Sequence, residues 1–182
     1  MVRNSLGVPE KDTLPNPTVA YDPSQWSNFF SADAGASAAL TGLLFVAASI
    51  NLPRIIESPF VVSRLAKALS ALVGVLFAAI LCLVPGQSPR LLGEELVMVA
   101  LPIWMLITIW ERGAARKNQY IGKYIKIVHF ALAHGAAVTM LAGGLSLMAS
   151  RGGGFYWVVA GVMISFTTAL LDAWVLLIEI LR

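Results

Sequence analysis

Long uncharged apolar runs separated by short polar breaks organise this chain: 34–53, 68–84, 96–110, 127–150 and 152–171, the last continuing past Asp172 to 178. Each approaches the ~20 residues that carry a helix across a bilayer, so the pattern predicts an all-α polytopic membrane protein with five transmembrane helices. The third run is the shortest. It is expected to begin near Leu91, with Glu94 and Glu95 in a first turn where the helix dipole favours carboxylates, and to kink at Pro102.

The breaks set the topology. Pro85-Gly86-Gln87-Ser88-Pro89 and Arg151-Gly152-Gly153-Gly154 are short enough to join spans two and three, and four and five, as antiparallel hairpins. The longer 51–63 stretch, with Pro53, Pro59 and an apolar Ile55-Ile56, is expected to lie along the inner surface. Residues 1–27 read as a polar, proline-rich extracytoplasmic segment and 28–182 as the membrane domain; no basic, signal-like region leads into the first span. Asp22-Pro23-Ser24 marks a helix start, followed by Trp26, Phe29 and Phe30 at the headgroup level.

With five crossings, one side receives nine of the 13 basic residues (Arg54, Arg64, Lys67, Arg112, Arg116, Lys117, Lys123, Lys126 and Arg182), and the other receives Arg3, Lys11, Arg90 and Arg151. The positive-inside rule then puts the N-terminus outside and the C-terminus in the cytoplasm. Composition agrees with a lipid environment: 58% of the 182 residues are hydrophobic and 13% charged, and the mean hydropathy is +0.77, against about a quarter charged in soluble domains. The net charge of +3 is dispersed between spans, so no nucleic-acid partner is expected. The lone Cys82 lies in an apolar run and reads as a small packed hydrophobe.

Polar groups inside the spans carry the candidate chemistry. Asp172 falls near the middle of the fifth helix, where an ionised group costs about 2.5 to 3.5 kcal/mol, and it therefore needs a partner or a proton. In a hairpin centred on Gly153, His134 and Asp172 each lie 19 residues from the centre, and equal rise on both arms puts them at one depth. By the same symmetry Glu179 falls within a turn of Lys126 and Lys123, an expected inner ion pair. These matched stripes serve either as glue between the two helices or as a proton or cation path through Asp172 and His134. At the outer face Asp33, Glu94 and Glu95 could form one acidic rim.

No metal, cofactor or catalytic site is expected. His129 and His134, five apart, point about 140° from each other on one helix, and no phosphate-cradling loop or nucleophile elbow is present, so the chain does not read as an enzyme. Trp104, Trp110, Trp157 and Trp174 read as belt or packing residues. In the first span Gly35, Ala39 and Gly42 share a face, the small-xxx-small pattern through which helix backbones approach in lipid. Packing within the subunit is its expected use, ahead of lining a pore between copies. Gly143-Gly144 in span four is expected to bend that helix or admit a neighbour.

Trp26-Ser27-Asn28-Phe29-Phe30, the run 35–46, Pro85-Gly86-Gln87-Ser88 and Gly93-Glu94-Glu95-Leu96 together resemble a group of small bacterial polytopic membrane proteins. Some of these carry the label "modulator of FtsH protease". The resemblance spans roughly the first 110 residues and implies regulation of a membrane-anchored ATP-dependent protease; it supplies no site residues. The expected function is thus a membrane interaction or regulatory protein in the bacterial inner membrane, contacting lipid, forming homo-oligomers and binding a larger membrane protein. The alternative is an oligomeric ion or proton channel or transporter using Asp172 and His134.

Overall fold

The computed structural model describes residues 19–115 and 123–181, without the side chains of 113–115, 123–126, 129, 177 and 179–181. Two 3-10 turns, Val19–Tyr21 and Pro23–Trp26, lead into six α-helices: α1 (Ser27–Ile50), α2 (Leu52–Glu57), α3 (Pro59–Leu83), α4 (Pro89–Ala115), α5 (Lys123–Ala149) and α6 (Phe155–Leu181). All but α2 contain a stretch long and apolar enough to cross a membrane, matching the five predicted spans.

Local chemistry explains the entry. The Asp22 carboxylate accepts hydrogen bonds from the Ser24 N–H (3.0 Å) and hydroxyl (2.7 Å), and Pro23 supplies a preset backbone angle at the first position. Trp26 donates its indole N–H to the Val19 carbonyl and packs on Phe29, Phe155 and Tyr156. Phe30, fully buried, meets Phe155. The segment from Val19 to Phe30 is thereby tied to the turn between α5 and α6 and the start of α6, and the Gly153 N–H donates to the Tyr21 hydroxyl (3.0 Å). Gly154, at φ +48°, lies so close to the Ala20 carbonyl that a Cβ would collide with it.

Helices α3, α4, α5 and α6 form a ring in which each packs on the next and α6 closes back on α3; α1 lies outside the ring, against α3. Leu40 and Leu44 of α1 join Ala68 and Leu72 of α3 and Ala169 and Phe166 of α6 in one apolar cluster. Short α2 buries Ile55 beside Ala48, Val61 and Leu176 and leaves Leu52 and Ile56 exposed, as an amphipathic turn between α1 and α3 requires.

Two expectations change. Helix α4 starts at Pro89, with the Ser88 hydroxyl accepting from the Leu91 N–H, so Glu94 and Glu95 sit beyond the first turn instead of in it. The small-residue face of Gly35, Ala39 and Gly42 on α1 does not pack within the subunit. Gly35, Ala39 and Gly42 are exposed, and a Cβ on Gly35 or Gly42 would meet nothing within 4 Å. Close approach is made elsewhere: a Cβ on Gly93 would stand 2.5 Å from the Gly144 carbonyl oxygen, and one on Gly143 2.6 Å from Val158. Gly143-Gly144 thus admits neighbours on both sides, α4 and α6.

Candidate functional site

Asp172 projects from α6 into the ring and is fully buried. Its partners come from α3. Arg64 Nη1 lies 2.9 Å from Oδ1 and Lys67 Nζ 3.0 Å from Oδ2. Arg64 and Lys67 are three residues apart and so share one helix face, letting a single carboxylate engage both. The Arg64 guanidinium also lies over the Phe60 ring, 4.9 Å from its centroid.

The network continues across the ring. Lys67 Nζ stands 3.7 Å from Glu111 Oε1 near the end of α4, and Glu111 Oε2 stands 3.4 Å from His134 Nε2 on α5. Trp104, two turns before Glu111 on α4, donates its indole N–H to His134 Nδ1 at 2.8 Å. With Nδ1 accepting, the neutral imidazole carries its proton on Nε2, aimed at Glu111. Phe130 covers the ring, with centroids 4.0 Å apart. Four helices therefore share one polar layer at the level of Asp172, and the formal charges of Arg64, Lys67, Asp172 and Glu111 cancel.

The predicted direct pairing of His134 with Asp172 is not made. Equal rise along a hairpin fixes depth but not the direction in which a side chain points: Asp172 turns to α3, His134 turns to α4, and Lys67 with Glu111 joins them. Arg64 and Lys67 count among the basic residues of one membrane side in the sequence and Glu111 draws no reading there; the helices extend to Pro59 and Ala115 and carry these charges inside. Trp104, read as belt or packing, is the hydrogen-bond donor that orients His134. Spacing held a usable signal in Arg64 and Lys67, which lie on one face directly before an apolar run.

The predicted pairing of Glu179 with Lys126 and Lys123 lies outside the described side chains, as does His129. At the opposite end of the bundle, which holds the two tight turns, Asp33, Glu94 and Glu95 do not form one rim. Glu94 is exposed and pairs with Arg90 one turn earlier (3.3 Å). Glu95 accepts a hydrogen bond from the Gln87 amide (2.7 Å). Asp33, two turns into α1, is only 5% exposed, and neither carboxylate oxygen has a hydrogen-bond partner. Cys82 is buried on α3 as a free thiol.

Helices of this length and polarity define a multi-pass membrane protein with a charged layer inside its ring. No family model, curated protein or solved structure matches the chain.

Proposed function

We propose that this protein is a membrane interaction or regulatory protein without catalytic chemistry, which self-associates through the small-residue face of α1. The observation that carries the reading is the open Gly35, Ala39 and Gly42 face, whereas Gly74, Gly93, Gly143, Gly144 and Gly161 are filled by neighbouring helices inside the subunit. In lipid, helices gain little from burying apolar surface and associate by close backbone packing, which small residues permit. A patch of small uncharged side chains is self-complementary, so the occupant is a second copy related by a two-fold axis. The nine-to-four bias of basic residues supports an N-terminus outside and a C-terminus in the cytoplasm of a bacterial inner membrane. The resemblance stated above supports a membrane-anchored protease as the regulated partner.

Disulfide formation in native membranes tests self-association. Ala39→Cys is expected to give an oxidised dimer, Met98→Cys on the exposed face of α4 to give none, and Gly42→Leu introduced beside Ala39→Cys to reduce the dimer severalfold. Equal cross-linking at 39 and 98, or none at 39, would remove the reading.

A second reading, proton or ion conduction, draws on the continuous polar layer from Arg64 through Asp172, Lys67 and Glu111 to His134. Flux into proteoliposomes that exceeds empty vesicles and disappears in Asp172→Asn would favour it; no flux removes it.

A further inference from the structure

We propose that His134 of α5 and Trp104 of α4 form a proton-operated latch: a proton taken up at His134 Nδ1 breaks the hydrogen bond from the Trp104 indole, releases that indole and leaves the imidazolium paired with Glu111. The latch goes beyond both functional readings above, since it needs neither self-association nor flux. The hydrogen bond from Trp104 Nε1 to His134 Nδ1 is 2.8 Å long, and Glu111 Oε2 stands 3.4 Å from Nε2. Both ring nitrogens are thus engaged, one by a donor and the other by an acceptor.

Donor and acceptor chemistry supplies the switch. An indole nitrogen can only donate, and a neutral imidazole offers one accepting nitrogen, which disappears when the ring is protonated. The Nδ1 lone pair takes the incoming proton and no covalent bond breaks. Two N–H groups then face each other across 2.8 Å, so the contact must open. The imidazole is the better held of the two rings. Its Nε2–H keeps Glu111, and Phe130, with its centroid 4.0 Å away, offers a π system that attracts a cation. Trp104 lies two residues after Pro102, whose ring denies the Met98 carbonyl its helical hydrogen bond, so α4 yields more readily there than an unbroken helix would.

The surrounding charges favour this partner exchange. Among the described side chains, Glu111 of α4 faces His134 directly. Lys67 of α3 stands 3.7 Å from the same Glu111 and 3.0 Å from Asp172 of α6, which also holds Arg64 of α3. The side chains of Lys123, Tyr124, Lys126 and His129 on α5, and of Glu179 on α6, lie outside the described set. Proton uptake adds one positive charge to a layer whose four formal charges cancel, and Glu111 is the acid placed to receive it. His134 and Glu111 each keep 19% of their side-chain surface exposed, and Glu111 lies one turn from the end of α4, so protons reach the ring from that end.

The test is nitrogen NMR of the full chain in zwitterionic nanodiscs, titrated from about pH 8 to about pH 5, the range in which histidine side chains change charge. His129→Gln leaves a single imidazole to follow, and Trp104→Phe identifies the Trp104 indole signal by its loss. As His134 takes up its proton, the Trp104 indole signal is expected to leave its hydrogen-bonded position with the same midpoint, while the Trp26 indole, bonded to the Val19 carbonyl, stays in place. His134→Gln, whose amide oxygen still accepts but takes no proton, is expected to hold the Trp104 signal fixed at every pH. Glu111→Gln is expected to move the transition to lower pH, because the imidazolium loses its counter-charge. A Trp104 signal that stays hydrogen-bonded while His134 becomes charged, a His134 that stays neutral throughout, a Trp104 shift retained in His134→Gln or a transition unmoved by Glu111→Gln would overturn the latch. Should His134→Gln fail to fold, the joint midpoint of the His134 and Trp104 signals decides the outcome.

Discussion

Lys67 and Asp172, 105 positions apart in the chain, meet at 3.0 Å in the interior of the helical ring. The same ammonium also faces Glu111 at 3.7 Å, so one flexible cation bridges acids from α4 and α6.

Lys67→Met removes the cation that bridges Asp172 and Glu111 inside the ring. A loss of about 3 to 5 kcal/mol is expected, because one partner of a buried ion pair is deleted while the acids keep their charge. Adding Glu111→Gln should return part of that loss. Unfolding of the single and double variants in mixed micelles checks both values, and additive losses would show that Lys67 and Glu111 are not coupled.

Trp104→Phe keeps the ring and deletes the donor to His134 Nδ1. A loss of about 0.5 to 1.5 kcal/mol is expected from the missing hydrogen bond. Nitrogen NMR of the His134 ring offers the sharper readout: the wild type should hold its proton on Nε2, and the variant should populate both tautomers.

Gly93→Ala and Gly42→Ala make the same chemical change in opposite surroundings. At Gly93 the new methyl would stand 2.5 Å from the Gly144 carbonyl oxygen and 2.9 Å from the Met148 amide nitrogen, backbone atoms that yield only if α4 and α5 separate. About 1 to 3 kcal/mol should be lost there. At Gly42 the methyl meets nothing within 4 Å, and stability should stay within about 0.5 kcal/mol. Comparing the two unfolding curves settles the contrast.

Acid should loosen the entry to α1. The Ser24 hydroxyl, and then its backbone N–H, hold the Asp22 carboxyl below its ordinary value of 3.8. A depressed acid contributes stability above the unfolded value and loses it as pH falls through the folded one. Protection of the Ser24 amide relative to its intrinsic exchange rate should therefore fall below pH 3.8 in the wild type, while in Asp22→Ala it should be low at every pH.

Much of this architecture was legible because lipid enforces it. Uncharged length gave the five spans, and Pro-Gly and Gly-rich breaks gave the two tight turns. The burial of Asp172 followed from its place in the last apolar run. Its partners did not, since helical rise reports height while the direction of a side chain depends on how whole helices rotate against one another. Arg64 and Lys67 illustrate the difficulty: charges near a span boundary read as interfacial until the neighbouring helix supplies an acid. Gly35 and Gly144 illustrate another, because the same small-residue signal marks an open face on α1 and a filled contact on α5. Only the packing of the neighbours tells them apart.

The Tyr21 to Gly153 contact closes a loop of 132 residues, and Arg64 waits 108 residues for Asp172. During synthesis the early helices therefore enter the bilayer with their cations still lacking the final acid and with the leading segment undocked. Completion of the last hairpin supplies both at once. A chain that ends before α6 keeps Glu111 beside Lys67 but leaves Arg64 without the Asp172 carboxylate.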